Sequence, residues 1–454
     1  MEPSQKQPVP VRRWARLIAV AAVAALVIAA IWVGITPHGE TAIDPQIAET
    51  AARASPEVGQ LIREAAGVVA QLHEQFPEHP ETLDVAARLH AKFGREERAV
   101  EIWKQILELD PRSSAACRAI AATALEKGDM AEAETYFRKA LELEPKSSSL
   151  TAQLGETLLN QGQVAEAIGV LEASRRRDPK AFAVLALLGQ AYVQAKEYAK
   201  ARECLEVAIA IEPAYTNQYF SLATACARLG DKAAAEQYTK KFRELKARDE
   251  QTHRQGLKTS DDVAVARQSA AEIHAAAGQA CVSLGDVATG EQLLLRAIEL
   301  YPEDIEGRLV LAWLYGRQGR EEEAGRVLDE VTRIASDQAT VFLRVGLIQQ
   351  ELRRYDAAEA AWRRAAELSP HQTRPLTALV QLALARNQNL ADAVVWAKKA
   401  AELEPIAENY ALLSVVCQRS GDRVGAVAAA EQACKLEPGN ADFQRLLGRA
   451  RGTR

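Results

Sequence analysis

A repeat of 34 residues is the feature that most limits what this chain of 454 residues can fold into. In the first half, prolines recur at this interval, at Pro77, Pro111, Pro145, Pro179 and Pro213. After an interruption the register resumes, with serine replacing proline once and the later spacing kept to within one residue, at Pro302, Ser336, Pro370, Pro405 and Pro438. A period of this length indicates stacked units of supersecondary structure, not one globular core.

Each unit has the pattern of two helices packed closely against each other. Twelve residues before the proline position stands a small residue, at Ala65, Ala99, Ala133, Ala167, Ala201, Ala235, Gly290, Ala324, Ala358, Ala393 and Ala426. Five residues earlier, several units have a glycine suited to a tight turn, at Gly94, Gly128, Gly162, Gly230, Gly285, Gly319 and Gly421. A large apolar residue, such as Trp103 or Phe137, fills the space beside the small one. The sequence therefore predicts one amphipathic helical hairpin in each unit.

This pattern strongly resembles the tetratricopeptide repeat family. The resemblance lies in stretches such as "GREERAVEIWKQILELDP", "YFSLATACARLGD" and "RLVLAWLYGRQGR", with Tyr192 and Tyr315 in the usual aromatic position. It covers most of the chain and implies an all-α, right-handed solenoid of about ten helix hairpins. Because the fold is a platform for many kinds of site, the resemblance implies protein binding in general and no particular partner.

The register also predicts two arrays. Pro213 and Pro302 are 89 residues apart, two periods plus 21 extra residues, and the extra part is densely charged. We expect a first array at 37–245 with a degenerate first repeat from Pro45 to Phe76. A charged connector at 246–262, a second array at 263–438 and a capping helix at 439–454 then follow. One continuous superhelix with a long inserted helix is the alternative.

The amino-terminal region contains an uncharged apolar run from Leu17 to Ile35. Its 19 residues match the roughly 20 that cross a bilayer as a helix. Basic residues precede the run and acidic residues follow it. We therefore expect a cytoplasmic tail at 1–13, a transmembrane helix at 14–36 and extracytoplasmic repeats at a bacterial inner membrane. A cleaved signal peptide, which would leave a secreted or periplasmic protein, is the alternative.

Motifs for catalysis, cofactors and metals are missing from the sequence. It contains no Gly-rich phosphate loop, G-x-S-x-G elbow, H-E-x-x-H or C-x-x-C, and its seven histidines are scattered. We expect no enzyme, cofactor or metal site. The net charge of −5 without a basic stripe gives no support to nucleic-acid binding. The pairs Cys204–Cys226 and Cys417–Cys434 lie on neighbouring predicted helices, so a disulfide stays open.

The resemblance implies that the first helix of each hairpin lines a concave groove. In the first array the corresponding positions are mixed and polar, and Arg88 and Arg118 could hold an acidic group. In the second array they are largely apolar, at Leu309, Trp313, Leu343, Leu347, Leu379 and Val415. We expect this second stripe to receive a hydrophobic partner segment with Trp313 as anchor. The alternative is that these side chains pack against the next repeat.

The function that follows is that of a membrane-tethered scaffold or assembly factor that binds protein or peptide segments. A non-catalytic subunit or regulator of a cell-envelope enzyme, or of a secretion or biogenesis complex, is the alternative. An enzyme built on the repeats is a further alternative. Self-association through the ends of the solenoid also stays open.

Overall fold

The computed structural model describes residues 43–258 and 261–452, and within them the secondary structure consists of 23 α-helices and no strand. The first array comprises α1 Pro45–Arg53, α2 Pro56–Gln75, α3 Pro80–Phe93, α4 Glu96–Leu109, α5 Ser114–Glu126, α6 Met130–Leu143, α7 Ser148–Asn160, α8 Val164–Arg177, α9 Phe182–Gln194, α10 Tyr198–Ile211, α11 Thr216–Arg228 and α12 Lys232–Lys258. Successive helices pair as hairpins, which confirms the predicted all-α repeat architecture for this part of the chain.

The second array continues the same plan with eleven further helices. They are α13 Asp262–Ser283, α14 Val287–Leu300, α15 Ile305–Arg317, α16 Glu321–Ile334, α17 Ala339–Glu351, α18 Tyr355–Leu368, α19 Arg374–Arg386, α20 Leu390–Leu403, α21 Ala407–Ser420, α22 Arg423–Leu436 and α23 Ala441–Arg451. The last helix has no partner of its own and packs on α22 and α21.

Local sequence signals fix the hairpin turns. Gly128 and Gly162 adopt φ of 78° between the two helices of their units, a conformation that glycine adopts without strain. Lys196 and Arg353 occupy the same position in other units with φ of 63° and 58°. Side-chain caps follow the turns, as where Asp129 accepts a hydrogen bond from the Glu132 amide at 2.9 Å.

The recurring small residues are the points of closest helix packing. Ten of the eleven are buried, and the alanines among those ten have no exposed surface. The exception is Ala235 on α12, which is partly exposed. It is open because no further helix of the first array stacks on α12, so the first array ends there.

The second array begins beside the start of the first. Helix α13 packs against α2 and α3, in addition to α14 and α15 of its own array. Ile62 and Val69 of α2 share one buried cluster with Ile273 and Ala277 of α13. The 27 residues of α12, about 40 Å of helix, carry the chain away from the end of the first array. Both arrays therefore start at a shared junction, which we define as α2 and α3 with α13 and α14.

The connector and the anchor are the two predicted segments that lie outside the regular hairpins. The predicted connector at 246–262 is helical as far as Lys258, where α12 ends, and α13 starts at Asp262. The predicted transmembrane helix at 14–36 lies outside the described residues. Within 43–258 and 261–452, no helix is both long and apolar enough to span a bilayer.

Candidate partner-binding cleft

Glu64 on α2 is at the centre of the junction. Its carboxylate accepts hydrogen bonds from Arg296 Nε at 2.6 Å and from Arg296 Nη2 at 3.0 Å. It also lies 3.5 Å from Nε2 of His274, a residue of α13 that is almost fully buried. Nδ1 of that imidazole lies 2.7 Å from the carbonyl oxygen of Ala270, one turn earlier, which fixes the ring orientation. Glu64 thus connects the first array to two helices of the second.

These contacts hold Glu64 in its ionised form. The hydrogen bond with His274 is the largest cause that lowers the pKa of Glu64, and Arg296 lowers it further by hydrogen bonding and by charge. Partial burial opposes them, but the net result is a pKa lowered to about 2. The carboxylate is therefore charged throughout the neutral and mildly acidic range.

Other polar contacts surround this pair. Lys92 Nζ lies 2.8 Å from Glu272, and the Gln75 amide donates to Asp286 at 3.0 Å. Arg267 also forms an ion pair with Glu57, and the Ser283 hydroxyl donates a hydrogen bond to Glu81. Among the described residues, every hydrogen bond or ion pair that joins a residue of 43–258 to a residue of 261–452 lies at the junction. Further from the junction, the surfaces of the two arrays face each other across two clefts.

The first cleft adjoins the junction and has a volume of about 820 Å³. Both arrays line it, and its lining includes several alanines of α13. Carboxylates are in strong excess on its walls, at Glu81, Asp84, Asp110, Glu272, Glu303, Asp304 and Glu306. Arg88 is the arginine on these walls, and Asp84 already binds it at 2.6 Å. Burial raises the pKa of Asp304, which caps α15 by accepting from the Gly307 amide. We call this space the acidic cleft.

The second cleft lies further from the junction and has a volume of about 800 Å³. One wall comes from the starts of α7, α9 and α11, and the other from α17 and the start of α19. Side-chain amides line both walls, at Gln153, Gln190, Asn217, Gln218 and Gln372. We call this space the amide cleft. Lys180 lies on its wall, where burial lowers the lysine pKa and Glu404 of the second array partly offsets the effect.

The predicted first-array site residues are both exposed on helices of the first array. Arg88 lines the acidic cleft, although its guanidinium is already paired with Asp84. Arg118 makes no ion pair within the described residues and does not line either cleft. The structure therefore does not bring the two arginines together into one anion site.

The predicted apolar stripe of the second array is not one continuous surface. Leu343 lines the amide cleft, and Leu347 is 54% exposed. Trp313 lies in a separate pocket of about 540 Å³, with Arg317 stacked 5.5 Å from its ring centre. Val415 is half-buried.

Leu309 and Leu379 are buried, so the predicted stripe is not open at these two positions. They are only 2% and 1% exposed. Leu309 shares a buried cluster with Val341 and Val345 of the next hairpin, and Leu379 packs with Trp362 of the preceding hairpin. Close stacking of successive repeats covers both positions. At these two residues the alternative holds, in which the side chains pack against a neighbouring repeat and do not line a groove.

The sequence analysis predicted a mixed, polar groove on the first array, but not that the second array forms the opposite wall of the amide cleft. Its residues come mainly from the loops that join successive hairpins and from the first turn of the next helix, as in Ser147–Ser149, Asn217–Gln218 and His371–Thr373. A run of amides and hydroxyls just after the proline position was the available signal. Its meaning depends on the second array lying opposite, which no local pattern indicates.

Cysteine and metal chemistry do not explain either cleft. The six cysteines are buried free thiols, and burial raises the pKa of Cys204 and of Cys281 to about 11. The structure has no disulfide between Cys204 and Cys226 or between Cys417 and Cys434, the two pairs for which the sequence left this open. In the described part of the chain, no group of three or more His, Cys, Asp or Glu side chains is placed to hold a metal ion.

Comparison with known families identifies the class of protein. Models of the tetratricopeptide repeat match residues 85–148, 124–191, 161–226, 275–339 and 339–372. Together these matches span more than half of the 454 residues. The chain belongs to the tetratricopeptide repeat family, as its repeat pattern predicted. No curated protein sequence matches it.

Solved structures show only a distant likeness. Yeast Tom70 is 17% identical, with 84% of this chain and 96% of that chain covered at a TM-score of 0.31. A MamA double mutant, RS-1 ArsTM, is 23% identical over 37% of this chain and 96% of its own, with a TM-score of 0.35. MamA from Desulfovibrio magneticus RS-1 is 18% identical over 50% and 96%, with a TM-score of 0.24. Similarity of this degree carries no partner or activity to this chain.

Proposed function

We propose that this protein is an interaction scaffold that holds a segment of a partner protein in the space between its two arrays. The observation that carries the proposal is the pair of clefts, each about 800 Å³ and each lined by both arrays. Direct polar contacts between the arrays are described only at the junction. Both clefts are present in the structure of the chain alone, so little ordering of the scaffold opposes binding.

The helical repeats supply a surface that tolerates many partners, because the clefts are lined by side chains from loops and helix starts rather than by one catalytic constellation. We do not assign a reaction to either cleft. Binding alone is the role that the lining residues support.

A membrane tether completes the proposal. The uncharged run from Leu17 to Ile35, with arginines before it, supports an anchor at 14–36 and extracytoplasmic arrays. Tethering would raise the effective concentration of the clefts for partners at the same membrane. The anchor is tested by alkaline extraction of membranes. Retention of the full chain, together with release of a chain that lacks residues 1–42, is expected. A chain that is released intact at high pH contradicts the anchor.

The scaffold role is tested by site-specific photocrosslinking in the full-length protein. A photoreactive side chain at Gln190 faces the amide cleft, whereas one at Ala173 is exposed on α8 outside both clefts. We expect a discrete partner band from position 190 that is missing from position 173. Equal bands from both positions, or no band from position 190, would contradict the proposal.

A further inference from the structure

The amide cleft contains hydrogen-bonding groups that the folded chain does not use. The side-chain amides of Gln153, Gln190 and Asn217 line the space and make no hydrogen bond within the described residues. Each amide offers two N–H donors and one carbonyl acceptor. A ligand with alternating donors and acceptors can therefore pair with these side chains in more than one register.

Gln218 is the most unusual group in this wall. The residue is only 7% exposed, yet its Oε1 has no hydrogen-bond partner. A buried amide oxygen without a donor is unfavourable, so the free protein carries an uncompensated cost at this position. Because the side chain borders the cleft, a rotation of its amide toward the space would let Oε1 accept from a ligand N–H.

The amides on the wall of the cleft favour an extended ligand over a helical one. The first helices α7, α9 and α11 pack side by side, so the wall is roughly 20 Å long at about 8–10 Å per helix. A helix satisfies its backbone N–H and C=O groups internally, whereas an extended segment leaves these groups free to pair with the amides on this wall.

The charges on the walls are balanced. Three cationic side chains and three carboxylates line the cleft, at Lys146, Lys180, Arg374, Glu156, Asp178 and Glu404. The acidic cleft has a strong excess of one sign, whereas this cleft does not. Net charge is therefore a weak criterion for selection here.

We propose that the amide cleft binds the main chain of an extended polypeptide segment whatever the charge of its side chains, with Gln218 accepting a hydrogen bond from a backbone N–H. This inference rests on the proposed scaffold function and names the chemistry of its ligand. Main-chain recognition would make binding tolerant of the side-chain sequence, because every residue except proline carries the same N–H and C=O groups.

The test uses short, labelled peptides of Ala, Ser and Thr, acetylated and amidated at their ends, with photocapture from position 190 of the full-length protein. A second peptide is N-methylated at alternate residues, which removes backbone donors without changing the side chains. Two more peptides carry one Lys or one Glu. The protein variants are Gln218→Leu and Gln349→Leu. Gln349 is a matched control because it is also buried with an unpaired Oε1 but does not line the cleft.

We expect the neutral, lysine and glutamate peptides to be captured to within about threefold, and N-methylation to reduce capture at least tenfold. Gln218→Leu should reduce capture about fivefold, the effect of one hydrogen bond, without lowering thermal stability. Gln349→Leu should leave capture unchanged. Equal losses in both variants, or full capture of the N-methylated peptide, would overturn main-chain recognition. If position 190 still captures a native partner in that case, the scaffold function stands. If it captures neither partner nor peptide, both proposals fall.

Discussion

The carboxylate of Glu64 binds the guanidinium of Arg296 through two hydrogen bonds, although 232 residues separate them in the sequence. The contact joins α2 of the first array to α14, the second helix of the second array. Together with the buried cluster shared by α2 and α13, it explains how two separate stacks of repeats start from one place. The clefts follow from this arrangement, because arrays that share a starting point have walls that face each other.

Loss of this ion pair should weaken the junction. We expect Glu64→Gln to lower the free energy of unfolding by about 1–2 kcal/mol, since it weakens charge-assisted hydrogen bonds at a partly buried site. Urea denaturation measures the change, and hydrogen exchange should show faster exchange in α13 than in α22. The control is Glu299→Gln, which removes the exposed second partner of Arg296 and should cost less than about 0.5 kcal/mol. Equal effects of the two substitutions would contradict the role given to Glu64.

The same residue predicts a pH dependence. The pKa of Glu64 is about 2 in the folded chain against an ordinary value of 4.5, so the unfolded chain binds more protons between these values. The stabilisation by Glu64 is therefore complete above about pH 4.5 and is lost as the pH falls toward 2. The difference in unfolding free energy between the wild type and Glu64→Gln should shrink across this window. A difference that stays constant from pH 7 to pH 3 would contradict the lowered pKa.

Two substitutions at equivalent positions of the hairpin turns should change the stability of the protein in opposite directions. Gly162 has φ of 78° and open space where the Cβ of a larger residue would lie, so Gly162→Ala should destabilise the protein by about 1 kcal/mol through backbone strain alone. Lys196 has φ of 63° at the equivalent position, and Lys196→Gly should raise stability by a few tenths to about 1 kcal/mol. Thermal or urea denaturation measures both changes. A stabilising Gly162→Ala would show that the turn does not need the left-handed conformation.

Replacing a helix glycine by alanine should have opposite effects on stability at two positions that differ in how closely the next helix packs. A Cβ at Gly189 would lie 2.4 Å from Leu205 Cγ in the core, so Gly189→Ala should cost about 1–3 kcal/mol. Gly169, in the interior of α8, has nothing within 4 Å of its Cβ position. Gly169→Ala should therefore stabilise the protein by about 0.5–1 kcal/mol through helix propensity. The two melting curves should move in opposite directions.

Periodicity predicted the hairpins because the small residues are required wherever helices approach closely. Ala133 and Ala358, for example, have no exposed surface in the structure, as their repeated position implied. Ala235 occupies the same repeat position but is partly exposed in the structure, and it marks the end of the first array. The repeat thus predicts which helices pair within a unit.

The relation between the arrays could not be predicted in this way. The ion pair between Glu64 and Arg296 leaves no mark in the 34-residue pattern, since each residue is one exposed-looking charge on a predicted helix. Burial of Leu309 and Leu379 depends on how tightly successive repeats stack, and the residue type alone does not decide it. The amide cleft depends on how the two arrays face each other, so the sequence pattern predicted groove positions such as Leu343 and Gln190 but not that they line one shared cleft.

The shared junction determines how the two arrays face each other, and a zero-length crosslink tests it most directly. Lys92 Nζ and the Glu272 carboxylate lie 2.8 Å apart, so carbodiimide activation of the full-length monomer should join them through an amide bond. Mass spectrometry should detect the linked peptides, and Lys92→Arg should abolish the link while keeping the ion pair. If α13 instead continued the stack from α12, these residues would lie several repeats apart and no such link would form. Its absence from the crosslinked monomer would contradict the shared junction.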